Sequence, residues 1–122
     1  DFARANHNPV VVVNGDRTKA PVTLTVKQGE KVTLSAKESS DPDGHRLSYR
    51  WFVYPEAGTL DRDVELAVAL SGAQRPEVSL VAPQARRGKK PAEGTLHVVL
   101  EVVDGGKPAL YAYRRVIVTV LP

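Results

Sequence analysis

The sequence contains no cysteine and no methionine, and each absence limits the kinds of protein and of binding site that the chain can represent. Without cysteine the domain has no disulfide bonds and no thiolate zinc site, so its stability must come from a packed core. A chain of 122 residues is long enough to bury such a core as one domain. The missing methionine leads us to expect a mature fragment or an excised domain. A cysteine-free chain fits both a cytosolic protein and a secreted bacterial one.

Long apolar runs and strong charge are also missing. No stretch approaches the ~20 apolar residues of a membrane span, and no signal-peptide pattern is present. The formal net charge is only +3. The one dense basic run, residues 86–90 (RRGKK), contains no aromatic residue. Such a run is more typical of a solvated loop than of a nucleic-acid site, so we expect neither a membrane nor nucleic acid as a partner.

The sequence does contain many segments in which apolar and polar residues alternate, which is the period of a β-strand with one buried face. The clearest follows the turn sequence at residues 41–44 (DPDG) and carries the only tryptophan, Trp51. No segment shows a helical period, and turn residues separate the segments about every ten residues. The alternating segments are residues 22–26, 32–36, 47–54, 64–70, 78–80, 96–103 and 110–121, and residues 10–13 are four consecutive valines.

These patterns predict an all-β fold, an immunoglobulin-like β-sandwich of about seven to nine strands in two antiparallel sheets. We assign residues 9–122 to the sandwich and residues 1–8 to a linker from an upstream domain. Residues 22–26 and 32–36 are predicted to pair as a hairpin. Trp51 is predicted to be buried, because such sandwiches bury a tryptophan on the third main strand. The valine run is expected to be a strand that is covered on both faces, or partly by another domain.

No group of residues has the spacing of a catalytic site. The three histidines are His7, His45 and His97, and none lies in a nucleophile–base–carboxylate motif. The sequence also lacks a glycine-rich phosphate loop that opens a helix. We therefore predict that this domain is not an enzyme.

One group of carboxylates is a candidate metal site. Asp41, Asp43 and Asp104 fall in loops at the same end of the predicted sandwich, where three carboxylates would suit Ca²⁺. The alternative is a structural role, in which Asp41 closes its own turn and Asp104 ties the two loops together through backbone N–H groups. Apart from this candidate calcium, we expect no cofactor.

One face of the predicted sandwich is apolar and aromatic although it points to solvent. The strands at residues 47–54, 96–103 and 110–121 belong to one sheet in this architecture. Exposed patches of such composition usually mark an interaction site, and the alternative is that loops of the same domain cover the patch. The predicted interaction residues are Arg50, Phe52, Tyr54, His97, Val99, Tyr111, Tyr113 and Arg115.

Several short motifs resemble, in the same order along the chain, the C-terminal domain of a family of secreted bacterial proteins. In that family a nucleoside-hydrolase-like domain precedes an immunoglobulin-like module, and members have been labelled cellulose-binding. The acidic turn followed by Tyr-x-Trp also resembles polycystic-kidney-disease-type and cadherin-like domains. The motifs are NHNP (6–9) with the valine run and NGD (14–16), SDPDG (40–44) with LSYRW (47–51), YPEAG (54–58), LEVVD (100–104) and YRRV (113–116).

The resemblance implies a non-catalytic C-terminal module, secreted or periplasmic in a bacterium. Such a module would pack against the upstream nucleoside-hydrolase-like domain and assist the binding of polysaccharide such as cellulose. Two alternatives stay open: an autonomous carbohydrate-binding module that exposes its rings as a platform, and a calcium-stiffened spacer or adhesion domain. The acidic site of the hydrolase-like domain has no counterpart in this chain, so no catalytic residue is transferred to it.

Overall fold

The computed structural model describes residues 7–60, 64–65, 67–84 and 93–122, and the basic run at residues 86–90 lies outside them. This part of the chain forms two sheets, one with the strand order β1-β6-β5-β3 and one that pairs β2 with β4. None of its helical segments has the length and hydrophobicity of a membrane span. The strands are β1 Val22–Lys27, β2 Lys31–Ser35, β3 Ser48–Val53, β4 Glu77–Val81, β5 Gly94–Val103 and β6 Tyr111–Leu121, and a 3-10 turn, Pro55–Ala57, follows β3.

The two sheets enclose one apolar core. Leu34 and Leu80 of the smaller sheet belong to the same buried cluster as the inward residues of the larger one. Trp51 is 2 % exposed, and its indole N–H donates to the carbonyl of Arg75 at 2.8 Å, so its predicted burial is confirmed. The inward apolar residues of β5 and β6, each at most 1 % exposed, are Leu96, Val98, Leu100, Val102, Val116, Val118 and Val120.

The predicted all-β sandwich is confirmed, but the described residues form six strands, fewer than the seven to nine predicted. Residues 64–70 do not form the predicted strand. Val64 and Glu65 are helical, and the N–H groups of Ala67 and Val68 bond to the carbonyls of Val64 and Glu65 at 3.3 and 3.1 Å. Short, largely apolar segments such as this one are ambiguous, because their alternation does not separate a strand from a helical turn. Leu66 lies outside the described residues.

The valine run at residues 10–13 is extended but is not a regular strand. Val13 makes an isolated bridge to Asp16, because Asn14 and Gly15 both have positive φ, 49° and 80°, and turn the chain back on itself. Residues 11–13 are buried whereas Val10 is exposed. The expected burial therefore holds for three of the four valines, without a continuous ladder.

The predicted hairpin between residues 22–26 and 32–36 is wrong. β1 pairs in parallel with β6, and β2 pairs with β4 in the other sheet. The chain changes sheets at Gly29, whose φ of 79° suits a tight turn and whose N–H bonds to the carbonyl of Ala82 at 2.9 Å. The larger sheet is consequently mixed, and only the smaller one is purely antiparallel.

Candidate functional site

The eight residues predicted as an interaction surface lie on one side of the four-stranded sheet. β5 pairs in antiparallel register with β3 on one edge and with β6 on the other. Alternate residues of the three strands therefore meet in rows on the same side. We call this surface the outer face, and it consists of Arg50, Phe52, Tyr54, His97, Val99, Glu101, Tyr111, Tyr113, Arg115 and Ile117.

Large aromatic side chains stay open to solvent on the outer face. Tyr54 is 39 % exposed, Tyr111 50 % and Tyr113 58 %. Leu121, 43 % exposed, lies in the same alternation at the end of β6. Loops within the described residues therefore do not cover these rings. A contiguous exposed patch of this kind is typical of a contact surface.

Arg50 of β3, Glu101 of β5 and Tyr113 of β6 lie side by side across the sheet and form one row of the outer face. Two members of this row, Arg50 and Glu101, form an ion pair. Arg50 donates from Nε to Oε1 of Glu101 at 3.3 Å and from Nη2 to Oε2 at 3.2 Å. These bonds lower the pKa of Glu101 and raise the pKa of Arg50. Tyr113 is the third member of the row, and its hydrogen bond to Glu101 raises the pKa of the phenol. The row thus carries no net charge at neutral pH.

Two arginines lie over aromatic rings of the same face. The Cζ atom of Arg50 is 4.7 Å from the ring centroid of Phe52, and that of Arg115 is 5.7 Å from the ring centroid of Tyr54. Both distances are within the range of cation–π attraction. Each guanidinium also covers part of a ring that would otherwise be available for stacking. Such coverage favours a surface that contacts protein over a fully open ring platform.

Arg115 has no carboxylate partner among the described residues, since the salt bridges found there involve other cations. Its Nη1 atom lies 3.5 Å from Nδ1 of His97. Burial of His97, with the Arg115 charge as a second cause, lowers the pKa of the imidazole, which is therefore neutral at pH 7. Arg115 is consequently a positive charge without a carboxylate partner on a surface rich in aromatic residues.

The N-terminal segment is attached to the domain next to the outer face. The backbone N–H of His7 donates to Oδ2 of Asp43 at 2.6 Å, and its Nδ1 lies 3.0 Å from Oδ1. Asn8 donates from Nδ2 to the carbonyl of Tyr111 at 3.0 Å. The sequence assigned both residues to a linker, but their contacts tie the entering chain to the Tyr111 end of the outer face.

The acidic turn is closed by its own carboxylate. Oδ1 of Asp41 accepts the N–H of Asp43 at 3.3 Å, and Oδ2 accepts the N–H of His45 at 2.8 Å. Nδ1 of His45 lies 2.8 Å from the same Oδ2 atom. These bonds occupy both oxygens of Asp41 with protein donors.

The candidate calcium ligands are only partly brought together. Atoms of Asp41, Asp43 and His45 that could hold a metal lie within 4.8 Å of one another, and Asp104 is not a member of this group. Oδ1 of Asp104 accepts the N–H groups of Gly106 and Leu110 at 3.0 and 2.9 Å, inside its own loop. Calcium binding therefore stays a prediction.

Two buried charged residues were not singled out by the sequence interpretation. Arg114 lies on the inward side of β6, two residues before Val116. Because every second residue of a strand points to the same side, the alternation of β6 could have identified Arg114 as buried. Glu65 is buried in the helical turn that was predicted as a strand, so no signal pointed to it. Arg114 therefore does not belong to the outer face.

The chain resembles known proteins in sequence family and in structure. Residues 31–120 match the family described as "Cellulose-binding protein Sde0182, C-terminal domain". A solved nucleoside hydrolase-related hypothetical protein from Saccharophagus degradans, associated with carbohydrate metabolism, is 36 % identical with a TM-score of 0.85. Mouse clustered PcdhgC3 EC1-3 is 22 % identical with a TM-score of 0.48, over 93 % of this chain and 33 % of that chain. No curated protein matches the chain.

The match to the bacterial protein covers nearly all of this chain but a minor part of the relative. It spans 99 % of this chain and 27 % of the S. degradans chain. The family match covers most of the sandwich, from β2 to β6. The resemblance first drawn from the short motifs is thereby confirmed. The chain belongs to the family of C-terminal domains of cellulose-binding protein Sde0182.

Proposed function

We propose that this domain is a non-catalytic module of a secreted bacterial protein, and that its outer face docks on a nucleoside-hydrolase-like domain of the same polypeptide. The observation that carries the proposal is the group of three exposed tyrosine rings on one sheet face, Tyr54, Tyr111 and Tyr113. Aromatic residues and arginine are the side chains that dominate protein interfaces. An interface within one chain buries on the order of 600–1,500 Å².

The attachment of the N-terminal segment supports docking on the polypeptide that precedes it. Asn8 bonds to the backbone of Tyr111, so an upstream domain would be tethered at the edge of the outer face. A short tether makes docking intramolecular and raises the effective concentration of the two surfaces to about the millimolar range. The two domains would then stay docked even if the interface between them were of modest affinity.

The comparisons support the identity of this partner. The relative from S. degradans is described as nucleoside hydrolase-related, and this chain spans 27 % of it. A further domain would account for most of the remainder of a protein built like that relative. The family description as a cellulose-binding protein is the basis for proposing a secreted location and an accessory role in polysaccharide binding.

A second candidate function is autonomous carbohydrate binding, which Tyr111 and Tyr113 favour. Both rings are at least half exposed and point to the same side of β6, about 6.6 Å apart along the strand at ~3.3 Å per residue. Among the described residues no arginine lies over either ring, in contrast to Phe52 and Tyr54. A sugar chain would therefore use the Tyr111 end of the outer face.

Calorimetry of the full-length protein that contains this chain tests docking. The test variant combines Phe52→Ser with Tyr113→Ser, and the control is Val81→Ser, which removes an apolar side chain that is 57 % exposed on β4, outside the outer face. Docking predicts that the two domains melt together in the wild type and the control, and separately in the double variant. Unchanged co-melting of the double variant would show that the outer face is not the interface.

Cellulose pull-down of the 122-residue chain separates the two candidate functions. Docking predicts retention near zero for the wild type and for the Phe52→Ser/Tyr113→Ser variant alike. Trp51 fluorescence of each sample verifies that the fold is intact, because Trp51 is buried. If the wild-type chain is retained and the variant is not, the carbohydrate-binding function replaces docking.

A further inference from the structure

We propose that Arg115 forms an ion pair across the docking interface with an aspartate or glutamate of the hydrolase-like domain. This inference rests on the proposed docking and specifies the chemistry of the partner surface. The partner is expected to present a carboxylate beside apolar groups, because Val99 and the Tyr54 ring lie beside Arg115 on the outer face.

The charge balance of the outer face is the first argument. Arg50 and Glu101 neutralise one another at 3.2 Å, and His97 is neutral at pH 7. Among the residues that define the outer face, Arg115 remains as the one charge without a carboxylate partner. A covered face that retains an unpaired guanidinium is unfavourable, because a buried charge without a partner carries a desolvation penalty of several kcal/mol. A partner that buries this face must therefore supply a negative group.

The position of Arg115 is the second argument. Arg115 of β6 lies directly beside Val99 of β5 in the row that ends at Phe52 of β3, and the Tyr54 ring lies beneath its guanidinium. Apart from His97, these neighbours are apolar or aromatic, so water would be excluded from Arg115 once the face is covered. A guanidinium held flat over a ring is already oriented for a planar carboxylate.

The donor capacity of Arg115 is the third argument. A guanidinium has five N–H donors. Within the described residues the hydrogen bond of Arg115 goes to His97, which uses one donor. The donors that are left can form the two parallel bonds of an arginine–carboxylate pair, which are among the strongest hydrogen bonds in proteins.

The experiment compares four forms of the full-length protein by calorimetry at low and high salt: wild type, Arg115→Lys, Arg115→Met and Lys27→Gln. Arg115→Met keeps an apolar stem and loses the charge, whereas Arg115→Lys keeps the charge. Lys27→Gln is the matched control, since Lys27 is an exposed cation at the far end of β1 in the same sheet. Truncating one partner of an interfacial charge pair costs about 2–5 kcal/mol, which is at least about a 30-fold loss in the docking equilibrium.

The expected result is that Arg115→Met separates the melting transitions of the two domains, that Arg115→Lys does so less, and that Lys27→Gln does not. High salt should weaken docking in the wild type, whereas the melting transitions of Arg115→Met should be nearly the same at low and high salt. Equal losses for lysine and methionine would overturn the ion pair in favour of ring packing.

The outcome with Phe52→Ser distinguishes this inference from the proposed function. If Phe52→Ser separates the domains and Arg115→Met does not, the ion pair is wrong and docking stands. If neither variant has an effect, docking itself is wrong. Retention of the isolated chain on an anionic polysaccharide such as polygalacturonate, lost in Arg115→Met, would assign Arg115 to a glycan carboxylate instead.

Discussion

Replacing Arg114 by methionine should destabilise this domain more than any substitution on the outer face. Arg114 is 3 % exposed and lies in the inward alternation of β6. Its Nε donates to the carbonyl of Ala20 at 2.7 Å and its Nη1 to the carbonyl of Asp16 at 2.9 Å. Its Nη2 donates to Oδ1 of Asp16 at 2.6 Å and lies 3.1 Å from Oγ1 of Thr18. One side chain therefore attaches the loop before β1 to the sheet.

The size of the effect follows from these four bonds. The Asp16 side chain is 40 % exposed, so its ion pair is screened by solvent and adds little. Hydrogen bonds from a charged group contribute ~1.5–3 kcal/mol each, and Arg114 makes two of them to backbone carbonyls, so their loss should cost ~3–5 kcal/mol. A domain is usually stable by only ~5–15 kcal/mol. At about 4 °C per kcal/mol for a chain of this size, the melting temperature should fall by about 12–20 °C. The melting temperature of Arg114→Lys should lie between those of the wild type and of Arg114→Met, because lysine keeps the positive charge but not the planar guanidinium.

The same contact predicts a change in acid stability. The hydrogen bond from Arg114 is the main cause that lowers the pKa of Asp16 to about 2, with Thr18 second. A lowered folded pKa contributes stability that is present above the unfolded value of 3.8 and is lost as pH falls towards 2. In Arg114→Met the pKa of Asp16 should return towards 3.8, so that its contribution to acid stability is reduced.

Thermal melts monitored by circular dichroism and an NMR titration of the Asp16 carboxylate measure the two effects. Arg17→Met is the control, because Arg17 is an exposed cation of the same loop. An Arg114→Met variant that melts within a few degrees of the control would refute the reasoning. So would an Asp16 carboxylate that still titrates near 2 in that variant.

Two further predictions concern Glu65 and the acidic turn. Glu65 is buried, and neither of its carboxylate oxygens has a hydrogen-bond partner within the described part of the chain. Burial raises the pKa of Glu65 and outweighs the effect of the Leu60 N–H, which lowers it. Glu65→Met should therefore stabilise the domain by ~1–3 kcal/mol at neutral pH. That gain should shrink as pH falls to the unfolded value of 4.5, and a variant less stable throughout would contradict it. EDTA should leave the melting temperature unchanged, since protein donors satisfy Asp41; a calcium-bound fold would instead lose ~2.7 kcal/mol if the ion were at a hundredfold excess over Kd.

The sequence by itself determined most of the strands and the composition of the outer face. Alternation has a period of two, so it fixes which residues of a strand share a side without knowledge of the partner strand. Alternation therefore assigns Trp51 to the core, and Phe52 and Tyr113 to the opposite side, whichever strands they pair with. Once β3, β5 and β6 lie in one sheet, the alternation of each strand is enough to bring these rings to the same surface.

Tertiary structure decided the pairings and the long-range polar contacts. β1 pairs with β6 and not with its neighbour β2, and Arg114 reaches a loop more than ninety residues earlier in the chain. His7 likewise bonds to Asp43 across 36 positions. Periodicity describes only the few residues around each position, whereas these contacts join segments that become neighbours when the two sheets pack. For the same reason alternation alone did not identify the helical conformation of Val64 and Glu65 within the short, largely apolar segment at residues 64–70.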